Sequence, residues 1–329
     1  MVARLALANG NKEQSSYYLA MASCTAAKPP RTPKGGQPAP KKSGPVQALA
    51  EWAEMIKVEH TVFALPFALS GMVLAQTQPP SWQVVFFIIL AFAGARSAAM
   101  TLNRIIDAKI DLKNPRTTTR AIPAGRISMS QACALAVVSF VVMLYAASKL
   151  PAICLTLSPI AIFWLSFYSF TKRFTWACHL ALGIALGGAA LGGWVAAGGQ
   201  LNTLAPWILA LAVATWVAGF DIIYASQDID FDNKENLHSI PARFGLAKAL
   251  NISSGLHVVT IAALSLLGWV LNLGFIYWMG VTMVAMMLAY EHHLVSPKDL
   301  SKVNAAFFNI NGVVSILAFI TILLDKLFS

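Results

Sequence analysis

Phe86-Phe-Ile-Ile-Leu-Ala-Phe-Ala-Gly-Ala-Arg96-Ser-Ala-Ala-Met-Thr-Leu102 runs without a break into Asn103-Arg-Ile-Ile-Asp107-Ala-Lys-Ile-Asp111. The first part is apolar enough to lie in hydrocarbon. The second places an amide and two carboxylates four residues apart. On a helix that spacing sets Asn103, Asp107 and Asp111 along one side, drifting about 40° per step. Carboxylates aligned in this way repel one another unless a cation lies between them. A hard divalent ion such as Mg²⁺, which takes oxygen ligands and keeps positions open for phosphate, suits the pair. The plainer alternative is a solvated helix end whose acids pair with Arg104 and Lys109.

Working outward, the chain has 329 residues, of which 57% are hydrophobic and only 12% charged. A soluble domain carries about a quarter charged residues, so this composition belongs to a polytopic membrane protein. Apolar segments fall at about 61–78, 82–102, 130–148, 151–170, 176–197, 204–225, 248–270, 273–290 and 303–325. Each is near the length that crosses about 30 Å of hydrocarbon, which predicts an all-α bundle of about nine spans. In the fifth segment, Gly183, Gly187, Gly188, Gly192 and Gly193 predict close helix packing. Residues 52–59 read as an amphipathic lead-in on the membrane surface. Residues 1–44, rich in Pro, Gly and Lys, read as a disordered basic tail ahead of a membrane domain at 45–329. Cys24, Cys133, Cys154 and Cys178 fall singly and read as apolar fillers.

The net charge is +10, but its distribution points away from nucleic acid. Of 24 Lys and Arg, only Lys149 and Lys326 fall on one side of the bundle. The positive-inside rule makes the other side cytoplasmic, with the N-terminus in and the C-terminus out.

A second acidic cluster follows the sixth segment: Asp221-Ile-Ile-Tyr224-Ala-Ser-Gln-Asp228-Ile-Asp230-Phe-Asp232. On a continuous helix Asp221, Asp228 and Asp232 fall within about 40° of one another, with Tyr224 close by and Asp230 opposite. Asp221 sits in or at the end of a span, where a carboxylate marks a functional site by default. Both clusters are followed by bases and a turn, Arg116…Arg120-Ala-Ile-Pro-Ala-Gly125 and His238-Ser-Ile-Pro-Ala-Arg243-Phe-Gly245. Two acidic faces beside Arg and Lys suit a diphosphate, the acids holding Mg²⁺ and the bases holding phosphate oxygens. Between them stands Tyr168-Ser-Phe-Thr-Lys172-Arg173, where Lys172 and Arg173 either anchor a short loop or join the anion site. Arg96, buried in the second span, pairs with an acid, lines a cavity or is structural; the sequence leaves all three open.

Asn103-x3-Asp107-x3-Asp111 followed by Arg116-x3-Arg120-x2-Pro123-x-Gly125 resembles the first signature of the UbiA superfamily of membrane prenyltransferases. Tyr168-x3-Lys172-Arg173 and Asp221-x2-Tyr224-x3-Asp228-x-Asp230-x-Asp232 are similar to its other signatures. The likeness covers roughly residues 50 to 325. The wording around residues 101–111 and 238–245 is similar to a bacterial branch usually labelled 4-hydroxybenzoate polyprenyltransferases, some of them of futalosine-route menaquinone synthesis. The resemblance implies a helical bundle with a cytoplasmic cap, an opening to the lipid bilayer, and a multi-pass enzyme of the plasma (inner) membrane facing the cytoplasm. It implies Mg²⁺-dependent transfer of a polyprenyl group from its diphosphate to an aromatic acceptor, 4-hydroxybenzoate or a futalosine-type ring, in ubiquinone or menaquinone synthesis. By position, Asn103, Asp107 and Asp111 would bind one Mg²⁺ and Asp228 and Asp232 the other. Arg116, Arg120, Lys172 and Arg173 would hold diphosphate, and Tyr168 and Tyr224 would shield the cation. Two departures stand out. Arg104 occupies a position where many members have another acid. Lys57-Val-Glu-His-Thr61 replaces an Arg-x-Asp-Lys-Pro entry, leaving Lys57 to meet an acceptor carboxylate without a bidentate fork. The rival of another class is a cation or proton transporter, whose mark is charged residues at mid-membrane.

Overall fold

The computed structural model describes residues 45–57, 61–76 and 80–328. The basic tail at 1–44 and the Val58-Glu59-His60 part of the entry segment therefore lie outside the described residues. Among those described, helices alternate with short turns and only an isolated bridge, Ser296 with Asp299, has β character.

The chain opens with α1 (Pro45–Ile56), an amphipathic helix closed by Lys57 in the left-handed region (φ 53°). Long helices follow: α2 (Thr61–Ala75), α3 (Trp82–Asp111), α4 (Met129–Ala147), α5 (Ala152–Phe167), α6 (Cys178–Ala196) and α7 (Ala205–Ala225). The cap helices α8 (Ile229–Lys234) and α9 (Ile240–Phe244) precede α10 (Leu246–Val270), α11 (Phe275–Leu294) and α12 (Asn311–Phe328). Among the described residues, seven helices are long and apolar enough to cross a membrane. The expected first span is the shorter α2, with 15 residues, and the expected eighth is α11, whose end carries Glu291, His292 and His293.

The order of burial explains the arrangement. The span built on α7 is 67% buried and that on α5 only 17%, so α7 is central and α5 peripheral. Trp216, Leu209, Val213 and Val217 of α7 form the middle of the core, with α2, α6, α10 and α12 around it. Close approach requires missing side chains. A Cβ on Gly193 would lie 1.8 Å from the carbonyl oxygen of Ala68, and one on Gly183 would lie 2.2 Å from that of Ala214. Gly187 likewise faces Ala210, but Gly188 and Gly192 face open space, so the expected packing role holds for three of the five glycines.

Exposed Val137, Val141, Ile160, Phe163, Val258 and Met286 cover the outside of the bundle, where only lipid can match them. Trp82, Trp207, Trp269 and Trp278, all exposed, ring the helix ends opposite the acidic clusters, as an interfacial aromatic belt does. The chain is membrane-embedded. At 1.5 Å per residue the 30-residue α3 is about 45 Å long, so its last turns rise beyond the hydrocarbon and carry Asn103–Asp111 into the cap.

Candidate active site

Asp107 and Asp111 are 2% and 4% exposed, so each needs a partner, and each has one. Lys172 Nζ donates to Asp107 Oδ2 at 2.6 Å and Arg173 Nη2 to Oδ1 at 3.1 Å. Arg173 is itself tied to the carbonyls of Ile106 and Ser169 at 2.8 and 3.0 Å. Asn103 Nδ2 donates to Asp107 and to Ser169 Oγ, both at 3.3 Å. Arg120 Nη1 donates to both oxygens of Asp111 at 2.7 and 2.8 Å.

The loop after α3 carries this group to the second one. Asn114 Nδ2 donates to Asp228 Oδ1 at 3.1 Å. Arg116 meets the same carboxylate as a fork: Nε donates to Oδ1 at 3.0 Å and Nη2 donates to Oδ2. Its third arm, Nη1, donates to the Tyr224 hydroxyl at 2.9 Å, and the guanidinium lies 5.1 Å from that ring's centre. Burial works against the Arg116 charge, but Asp228 and Tyr224 outweigh it and hold its pKa above the ordinary arginine value. Two further links close the cap. The His238 amide donates to the Lys172 carbonyl at 2.7 Å, and Lys113 pairs with Glu235 at 2.5 Å. Segments 103–120, 168–173 and 228–239, far apart in sequence, thus meet at one end of the bundle.

One helical expectation is corrected here. A 3₁₀ turn, Ser226–Asp228, interrupts the helix after α7, and Asp228 leaves helical geometry at φ −107°, ψ 10°. The common face expected for Asp221, Asp228 and Asp232 is therefore broken, since any change of turn resets the phase. Asp221 turns to α6 and pairs with His179 at 2.7 Å, while Asp232 accepts from Ser239 Oγ at 2.8 Å. Tyr168–Arg173 is also a 3₁₀ turn. Tyr168 lies near Arg96, Arg104 and Asp107.

The sequence reading missed Asn114 and His179. Asn114 is signalled only by the Asn-Pro-Arg turn. His179 is a single polar residue near the start of an apolar helix; its Nε2 accepts from the Ile240 amide at 3.3 Å. An amide can only donate, so the ring proton lies on Nδ1, directed at Asp221. Lys57 sits at the end of α1, its carbonyl accepting from Arg96 Nη2 at 3.4 Å.

The donor set fits magnesium. Asp107, Asp111, Asp228, Asp232 and the Asn103 amide oxygen are hard oxygen ligands on converging segments. Among the described residues, no three acids, histidines or cysteines come together as a metal cage.

An apolar helical bundle with most of its acids and bases gathered in a cap at one end has the architecture of a membrane-embedded prenyltransferase. The description "UbiA prenyltransferase family" matches residues 64–313, and the chain belongs to that family. A 4-hydroxybenzoate octaprenyltransferase of Vibrio campbellii is 32% identical over 253 residues, covering 77% of this chain and 86% of its own. A UbiA homolog from Aeropyrum pernix K1, solved in its apo form, is 34% identical with a TM-score of 0.75, covering 82% of this chain and 98% of its own. A UbiA homolog from Archaeoglobus fulgidus, bound to DMAPP and Mg²⁺, shares the fold at 18% identity and a TM-score of 0.65, over 85% of this chain and 100% of its own. The chain is an enzyme, a prenyltransferase, and the transporter reading is set aside.

Proposed function

We propose that this prenyltransferase moves a polyprenyl group from polyprenyl diphosphate to the ring of an aromatic acceptor, 4-hydroxybenzoate, in lipid-quinone synthesis. It works at the cytoplasmic face of the plasma (inner) membrane and requires Mg²⁺. The observation that carries this reading is the pairing of Asp107 with Lys172 and Arg173, of Asp111 with Arg120, and of Asp228 with Arg116, all within one cap. Three acids and four bases that pair with one another can exchange partners for a metal diphosphate without stranding a buried charge. The names of the Vibrio relatives support the acceptor, and the Mg²⁺-bound Archaeoglobus homolog supports the metal.

In this mechanism Asn103, Asp107 and Asp111 would hold one ion, and Asp228 and Asp232 a second. Bound there, Mg²⁺ supplies positive charge to the leaving diphosphate. Lys172, Arg173, Arg116 and Arg120 donate to phosphate oxygens and stabilise the negative charge that grows as the prenyl C1–O bond breaks. The Tyr224 ring, tilted by 32° against Phe307 with centroids 4.3 Å apart, offers a π face to the allylic cation. Closure of the cap keeps water from that cation, so the acceptor ring carbon bonds to C1 and the ring then loses a proton. The His179–Asp221 pair holds the start of α9 and so supports the Ser239–Asp232 contact.

Asp107→Ala and Asp228→Ala should each abolish transfer of a labelled prenyl chain to 4-hydroxybenzoate in washed membranes, with the protein still inserted. EDTA should stop the wild-type reaction and added Mg²⁺ should restore it. Full activity in either variant, or in EDTA, refutes the mechanism.

A further inference from the structure

Arg104 is a cation that the acids of the cap do not use. It is 8% exposed, and the ionisable groups near it are Arg120, Asp111, Tyr168 and Asp107. Yet both oxygens of Asp111 are taken by Arg120, and those of Asp107 by Lys172 and Arg173. Among the described residues Arg104 donates once, from Nε to the Met55 carbonyl at 3.5 Å, the weak limit of a hydrogen bond. A guanidinium has five N–H groups in a planar fork, so its two Nη atoms stand without acceptors.

The same seam between α1 and α3 holds two more donors. Trp52 lies one turn before Met55 on α1 and packs with Met55, Met100 and Ile105; its Nε1 is buried with no partner. Thr101 lies one turn before Arg104, fully buried, and its Oγ1 also has no partner. Buried donors are nearly always satisfied in folded proteins, so the unpartnered Trp52 Nε1 and Thr101 Oγ1, within a turn of Arg104's own contact and position, call for an acceptor. On α3, Arg104 is about 60° round from Asp107, turned toward α1 and away from the side where Arg116 meets Asp228. Arg104 and Arg120 also repel one another, which a bound anion would relieve.

The geometry points to an aromatic-carboxylate site at Arg104, with Trp52 Nε1 as a supporting donor, which recognises the acceptor by its acid group. The inference rests on the acceptor reading above and deepens it: Arg104, rather than Lys57, supplies the bidentate fork. A planar carboxylate matches the two free arms, whereas the diphosphate is served by the bases on the other side of Asp107.

The test uses the full chain in nanodiscs with 4-hydroxybenzoate and its uncharged counterpart 4-hydroxybenzamide. Arg104→Met should raise KM for the acid by about tenfold to a hundredfold, the loss expected for a charged hydrogen-bonded group. KM for prenyl diphosphate and for the amide should stay within about threefold, so the preference for the acid collapses. Trp52→Phe, which removes only the N–H donor and keeps an aromatic ring, should shift the same ratio by a few fold. It carries the test if Arg104→Met fails to fold. An unchanged acid-to-amide ratio, or a rise in KM for prenyl diphosphate instead, overturns the assignment. If wild type prenylates neither ring, the acceptor reading fails; the carboxylate site is then judged by thermal stabilisation of the protein by 4-hydroxybenzoate alone. Stabilisation that Arg104→Met removes upholds the site; no stabilisation, or equal stabilisation of Arg104→Met, overturns it.

Discussion

Replacing Arg116 by lysine tests whether the cap works by fork geometry or by charge alone. Arg116 makes three side-chain contacts: two to Asp228 and one to the Tyr224 hydroxyl. A lysine ammonium keeps the charge but reaches one of these acceptors at a time. Two contacts are therefore lost, each of a kind that contributes about 1.5–3 kcal/mol when a charged group is involved. The Arg116 side chain is 34% exposed, so water screens and replaces part of that. A net loss of about 1.5–3 kcal/mol in transition-state stabilisation remains, which at 1.4 kcal/mol per decade is about tenfold to a hundredfold in kcat/KM. The assay is prenyl transfer in proteoliposomes with polyprenyl diphosphate varied at saturating acceptor. Arg116→Met, lacking the charge as well, should be lower by a further decade or more. An Arg116→Lys enzyme within threefold of wild type, with Arg116→Met no worse, would refute the argument that the fork organises Asp228 and Tyr224 together.

Two further outcomes follow from packing and charge. Gly193→Ala places a methyl against the Ala68 carbonyl and should destabilise the α2–α6 contact by about 1–3 kcal/mol. Gly188→Ala, facing open space, should leave the melting temperature in detergent unchanged; equal effects from the two would contradict the packing. Arg126 donates to both oxygens of Glu54 at 2.7 and 2.9 Å, and this hydrogen bonding holds the Glu54 pKa below its ordinary value. A depressed folded-state pKa means that the contact contributes fully above the unfolded value of about 4.3 and is lost as pH falls through the folded one. Protease access to α1 should therefore be flat from pH 7 to about 5 and rise only in stronger acid; a rise near neutral pH would refute the assignment.

Much of this protein is legible without coordinates because lipid imposes simple rules. Long apolar runs must be helices, and an acid such as Asp107 at a span's end demands a cation. The spacing Asn103–Asp107–Asp111 could be read because α3 continues unbroken through it. Reading failed where the backbone departs from α geometry. The 3₁₀ turns at Tyr168–Arg173 and Ser226–Asp228 carry no compositional mark, yet the second takes Asp228 off the helical face that carries Asp221.

Composition and periodicity by themselves determined that the chain is a helical membrane protein with most of its acids and bases on one side, since burial in hydrocarbon acts on each segment separately. Which base serves which acid was decided only in the fold. Asn114 reaching Asp228, His179 reaching Asp221 and Arg104 left over beside α1 depend on loop paths and turn types. Such pairings join residues distant along the chain, and local sequence does not encode the distance between them.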